Sequence, residues 1–388
     1  MVNDCIQIAL ATNVTALQRL AVLSWPQRRK YDCPTYYKNT AVSRASGILA
    51  ARKKSLRRGR ATKDPYFLSP QITAYQGFKI KDGMLRVSVG NHMFQYVPLT
   101  AHTLAVISVP AVTVRSFTLT ATSLSLCISK AVPDIECVGT VGVDRNLRNL
   151  TVGNDERVSQ HDLSDTVRIV ETISHIVGSF KRSDSRIRKK IATKYGRRRR
   201  NRIQPLLHNV TKRIVADAVE RRQAIVLENI EGIRRLYGRG NGQGRNYRRR
   251  MNGWSYAEAQ RQIEYKAKWA GLPVIHLSRR ETQGTSVTCP ACGERLQEDK
   301  QLQRKLWCQK CRVMMDRDAV AAVNLSRRGR LRFDRSRTLI ESKGSPSEAM
   351  VEEREPDKAT LILTVDGEKP SQTTEDLTEP SELTTQPR

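Results

Sequence analysis

The spacing of apolar and polar positions divides the chain into three kinds of segment. Residues 1–76 carry helix-compatible spacing, with Trp25, Tyr31, Tyr36 and Tyr37 set among basic residues and a dense basic run, RKKSLRRGR, at Arg52–Arg60. Aromatics among cations suit base stacking and phosphate contact, and suit a solvated basic helix equally well. Residues 77–135 change character. FKIKDGMLRVSVG alternates around Asp82-Gly83, a hairpin signal, and MFQYVPL, HTLAVISV, VTVRSFTLTAT and LSLCIS continue as short β-rich runs, which predicts a small antiparallel sheet or barrel. From residue 136 the pattern becomes α/β. CVGTVGVDRNLRNLTVGN predicts two paired strands, residues 165–222 two long helices, AIVLENIEGI a buried strand, WSYAEAQRQIEYKAKWAG an amphipathic helix stopped by Gly271, and LPVIHL a further buried strand. The glycine-rich, basic stretch GRGNGQGRNYRRR (238–250) reads as a mobile lid or linker, with no phosphate-cradling motif.

Charge narrows the class. The 388 residues hold 68 Lys and Arg against 38 Asp and Glu, a net charge of +30, which points to a polyanionic partner and most simply to nucleic acid. Twelve acids against five bases fall in residues 341–388, so the body is more basic than the total, and twelve Lys or Arg crowd residues 181–202 as a backbone-binding surface. Residues 336–388, acidic and rich in Pro, Ser and Thr, read as a disordered tail. No run reaches the roughly 18–20 apolar residues of a membrane span. The amino terminus, MVNDCIQIAL, lacks the basic start of a secretory signal, so a reducing cytoplasm is expected.

Cys289 and Cys292 form one CxxC pair and Cys308 and Cys311 another, with 15 residues between the pairs. That is the spacing of a four-cysteine zinc ribbon over residues 286–313. Two tight turns facing each other close a tetrahedral shell, and a closed shell makes the zinc structural rather than catalytic. Chemistry is expected elsewhere. Asp144 ends one apolar strand and Glu228 ends another. The triplet Asp316-Arg317-Asp318 begins five residues past Cys311, and Asp318 opens the apolar run AVAAVNL within residues 314–335. Three carboxylates at the edge of an α/β sheet are the ligands a pair of Mg²⁺ ions about 4 Å apart requires for phosphodiester hydrolysis. This layout is that of an RNase H-like nuclease.

VGVDRN (141–146), IVLEN (225–229) and DRDAVAAVNL (316–325), the last just after the CxxC pairs, resemble the three split RuvC motifs of the TnpB (OrfB) family. These are transposon-associated RNA-guided DNA endonucleases, often labelled transposases and related to compact type V CRISPR effectors. The resemblance implies a helical recognition-like module over 1–76, a wedge-like barrel over 77–135, a RuvC nuclease core over 136–285 and a third-motif helix over 314–335. It places the family's catalytic acids, as Mg²⁺ ligands, on Asp144, Glu228 and Asp318, with Asp316 as a competitor for the last. It implies as partners a guide RNA from the transposon end and a double-stranded target DNA. One position departs: the family commonly shows DRDxNAAxN, and Val320 stands at the first Asn. A DDE transposase normally ends its acid set in Glu, and a Holliday-junction resolvase needs no ribbon. An RNA-guided binder that has lost cleavage is the alternative that Val320 keeps open.

Overall fold

A computed structural model describes residues 1–90, 92–180, 185–230, 232–238, 240–298, 301–342 and 358–365. In chain order the first elements are helices α1 (Val2–Thr12), α2 (Leu17–Leu23), α3 (Trp25–Arg29) and α4 (Thr35–Arg57). Strands β1 (Gln71–Ala74), β2 (Phe78–Lys81), β3 (Met84–Ser88) and β4 (Phe94–Pro98) follow, then α5 (Ala101–Ile107), β5 (Val112–Thr120) and β6 (Leu124–Ala131). The α/β stretch holds β7 (Gly139–Arg145), β8 (Asn149–Gly153), β9 (Val158–Asp162), α6 (Ser164–Ser179), α7 (Ser185–Glu220), β10 (Gln223–Glu228), α8 (Arg245–Gly253), α9 (Tyr256–Ala270) and β11 (Val274–Leu277). After these come β12 (Gln297–Glu298), β13 (Lys305–Cys308), β14 (Val313–Asp316), α10 (Arg317–Ser342) and β15 (Lys358–Val365).

The described residues form two compact units, one of residues 1–130 with the strand residues 360–365, the other within residues 131–359. In the first, Cys5, Ile6, Ala9, Leu20, Val42, Ala45 and Leu49 bury the facing stripes of α1, α2 and α4. Its strands lie in two sheets, β1-β5-β6-β15 and β2-β3-β4. HTLAVISV, expected as a strand, is largely the helix α5: the Thr100 hydroxyl accepts from the Thr103 amide, and that cap starts a helix where apolar composition alone read as β. The tail expectation also changes. Helix α10 continues past residue 335 to Ser342, and β15 lies beside β6, while residues 343–357 and 366–388 fall outside the described residues.

The second unit is built on a five-stranded sheet in the order β11-β10-β7-β8-β9. β10 runs parallel to both β7 and β11, and β7, β8 and β9 form an antiparallel meander. One face is covered by the apolar stripe of α7, where Ile203, Leu207, Ile214, Val215 and Ala218 recur at helical spacing, and by Ala259, Ile263 and Ala267 of α9. The other face is covered by α10. There the backbones approach closely: a side-chain carbon on Gly142 would lie 2.1 Å from the Ala322 carbonyl oxygen, and one on Gly329 2.2 Å from Val226. Thr140 Oγ1 and Ser326 Oγ, 3.0 Å apart, tie strand to helix at the same seam. Residues 245–250, expected within a mobile linker, begin the helix α8. Among the described residues no single helix is long and apolar enough to cross a membrane.

Candidate active site and metal centre

Side chains alternate along a strand, and this fixes where the three acids point. On β7, Thr140 and Gly142 face α10, so Asp144 does too; Val143 and Arg145 face the opposite way. On β10, Val226 faces α10, and Glu228 therefore shares that side. The parallel register sets Leu227 beside Val143, which brings Glu228 next to Asp144 at the carboxyl ends of the two strands. Asp318 lies in the first turn of α10 and is buried. The close seam at Gly142 holds that helix over β7, and so carries Asp318 to the same sheet edge.

The acids interact without forming a single closed shell. Burial, then the Glu228 carboxylate, with a smaller contribution from Asp318, pushes the Asp144 carboxyl up to about 7. Asn146 Nδ2 donates to Asp144 at 2.8 Å and Arg304 also opposes the rise. Burial raises Glu228 as well, against the pull of Arg145. Among the described residues, only the four cysteines form a group of three or more metal-binding side chains whose ligand atoms all lie within 4.8 Å of one another. Asp316 is engaged differently, accepting the backbone amides of Asp318 and Ala319 at 3.0 and 3.2 Å as a helix cap.

Four residues that sequence reasoning did not single out shape this edge. Arg304, in a left-handed turn (φ 65°) just before β13, ion-pairs with Asp318 and donates to Asn146 Oδ1 at 3.3 Å. Asn149 Nδ2 reaches Asp318 at 3.4 Å. Trp254 Nε1 donates to the Asn146 carbonyl at 2.8 Å and pins the loop after β7. Arg145, only 2% exposed, sends its guanidinium beneath the sheet edge to the backbone carbonyl of Glu228 and to Gln260 Oε1, while its buried Nε finds no partner. Gln260 in turn donates to Glu264 at 2.7 Å. Arg145, Asn146 and Asn149 sit in the DRNLRN segment and were legible as neighbours of an acid. Arg304 comes from the ribbon insertion, where no periodicity marks it.

The cysteines converge. Sγ–Sγ separations of 3.9 Å for Cys289–Cys311 and 3.5 Å for Cys292–Cys308 bracket the ~3.8 Å edge of a tetrahedron with metal–sulfur bonds of about 2.3 Å. The Cys311 amide lies 3.4 Å from Cys308 Sγ and draws that thiol down, while hydrogen bonds with Cys292 and Cys308 push the Cys311 thiol up, the two shifts belonging to one shared cluster. Val320, at the position that departs from the expected motif, packs with Cys289, Leu296, Leu306 and Cys308 against the ribbon. Asn324 Nδ2 donates to the Thr285 and Thr288 carbonyls, both at 2.8 Å, and so fastens α10 to the ribbon's root. In the first unit, two of the aromatics noted at the amino terminus are committed internally: Tyr31 donates to Asp4 at 2.6 Å and buried Tyr37 to the Ser88 carbonyl at 2.7 Å.

Residues 256–325, from α9 through the ribbon into α10, match the family model described as Cas12f1-like, TNB domain. A TnpB-like protein of Methanocaldococcus jannaschii is 33% identical over 192 residues, 47% of this chain and 66% of that protein. The chain thus spans just under two thirds of that relative. A cryo-EM structure of a Cas12f1–sgRNA–target DNA complex matches with a TM-score of 0.56 at 14% identity, covering 82% of this chain and 77% of that one, a likeness of fold. A second, of a CRISPR-Cas12f ternary complex, matches at 16% identity and a TM-score of 0.36 over 76% of this chain and 70% of that one.

Proposed function

The chain belongs to the TnpB family, related to the compact type V effectors, and from that premise we propose that it is an RNA-guided DNA endonuclease working through Asp144, Glu228 and Asp318. The observation that carries the proposal is the meeting of Asp144 and Glu228 on one face of adjacent parallel strands, under the helix turn that bears Asp318. The strand order β9-β8-β7-β10-β11, three antiparallel and two parallel, supports an RNase H-like (RuvC) core.

The donor set fits a hard divalent cation. It is all oxygen, and the Asp144 carboxyl, raised first by burial and then by the Glu228 carboxylate, sits where a bound cation would favour its ionised form. Asp144, Glu228 and Asp318 would hold Mg²⁺, which when bound supplies an activated water and a counter-charge for the leaving oxygen. Arg145 fixes the Glu228 backbone from below and Asn146 orients the Asp144 carboxylate. Arg304, ion-paired with Asp318, lies at the same edge, where its guanidinium would meet a phosphate once a metal took its place on Asp318. Cys289, Cys292, Cys308 and Cys311 would hold a structural zinc, keeping the ribbon folded where it supports α10.

Substrate selection falls to base pairing with a guide RNA from the transposon end, with double-stranded DNA as target. The basic helix α7 and its neighbours would hold the phosphate backbone without reading sequence. A cleavage-inactive reading rested on Val320, and its place in the apolar ribbon cluster removes no candidate ligand. The test is cleavage of a target plasmid library by the purified protein–RNA complex in Mg²⁺. The proposal expects guide-dependent cuts lost in D144A and E228A with RNA binding retained; guide-independent cutting, or cutting that survives in both variants, would sink it.

A further inference from the structure

The three-stranded sheet of the first unit has two unlike faces. Phe78 pairs with Val87, Ile80 with Leu85, and Leu85 with Val97, an apolar set whose members Leu85 and Val87 are fully buried. One residue out of phase, Lys79, Lys81, Met84, Arg86, Phe94 and Tyr96 share the opposite face. Tyr96 is 52% exposed and Phe94 40%. A sheet face turned only to water is mostly polar, so two half-exposed rings side by side among three cations point to an occupant.

The arrangement is ordered. Lys79 stands across from Arg86, and Arg86 across from Tyr96, one row over three strands. The Arg86 guanidinium lies 4.3 Å from the centre of the Phe94 ring and covers one of its faces. Asp82, in the β2–β3 turn, is paired with Lys81 at 3.8 Å. Phe94 and Tyr96 are two residues apart on β4, about 6.8 Å along the strand. That is roughly twice the 3.4 Å rise of stacked bases, so successive bases seated on both rings must leave their own stack.

We infer that this face is a stacking platform for unpaired RNA. Phe94 and Tyr96 each take the face of one splayed base, while Lys79, Lys81 and Arg86 meet the phosphates between and beside them. A duplex has its base faces covered and offers such rings nothing, which makes the occupant single-stranded. The choice of RNA over DNA rests on the proposed function, in which RNA is the resident polynucleotide.

The test uses the full chain freed of RNA, with fluorescein-labelled oligouridylate and its duplex with oligoadenylate as probes. Replacing both rings (F94A/Y96A) is expected to weaken oligouridylate binding by ~10-fold or more, with its salt dependence and the duplex affinity unchanged. K79A/K81A is expected to lower the salt slope by about 1.4, two phosphate contacts' worth on a single strand. F94Y/Y96F, which keeps both rings, binds as the parent does. Unchanged oligouridylate binding in F94A/Y96A, or an equal loss on the duplex, would each overturn the assignment. No cleavage is read, so failure of the nuclease proposal leaves this result standing.

Discussion

Asp144 gives the sharpest prediction at the residue scale. Its carboxyl is lifted from the ordinary 3.8 to about 7, chiefly by burial and by Glu228. A carboxyl raised on folding favours the folded state most at pH below its unfolded value, and that advantage is lost as pH rises through about 7. The metal-free protein should therefore lose stability between pH 4 and 7, and D144N, which cannot ionise, should be more stable than the parent at pH 8 by on the order of 1–3 kcal/mol. Thermal melts across pH in chelator check this; a flat difference between the two proteins would show that the carboxylate carries no strain. Arg145 makes a second case. R145M strips the Glu228 carbonyl of a donor in a buried setting and should cost ~1–3 kcal/mol, with R145K recovering part. If Arg145 also positions Glu228, calorimetry will find weaker Mg²⁺ or Mn²⁺ binding in R145M. Loss of a nearby positive charge by itself would strengthen it. Sequence placed both acids because each ends an apolar strand, whereas the reach of Arg145 under the sheet depends on α9, more than a hundred residues away.

At the scale of elements, the seam between β7 and α10 governs the site. Gly142 has no room for a methyl group against the Ala322 carbonyl, so G142A must push the helix outward. A loss of ~1–3 kcal/mol is expected together with loss of cleavage, because Asp318 rides on that helix. Full activity in G142A, measured on a guide-matched target, would mean the seam does not position Asp318. The ribbon acts through the same helix: Asn324 and Val320 join it to α10, and Arg304 reaches Asp318 directly. C308A should release zinc, expose the ribbon to protease and lower cleavage while RNA binding persists; undiminished cleavage in a zinc-free protein would contradict this. The two CxxC pairs were readable because their spacing alone dictates a shell. Helix α5 was not, since a short apolar run fits strand or helix and the Thr100 cap decided it. Alternation predicts strands well and says little about which strands pair, and here they divide between two sheets.

The whole molecule is a strongly basic chain, +30 overall, with twelve of its 38 acids in residues 341–388. That distribution was legible from the sequence, as was the α/β order of the second unit. The function proposed for it was legible only through resemblance, because charge identifies a polyanion and says nothing of one polyanion guiding a protein to another. The most direct measurement is to express the gene with its native downstream DNA, purify the protein in high salt and sequence the RNA that remains bound. A single abundant species ending at the element's boundary is predicted, and it supplies the guide for the cleavage assay. Heterogeneous RNA that washes away with salt would contradict the account and leave a generic polyanion binder with three acids at a sheet edge.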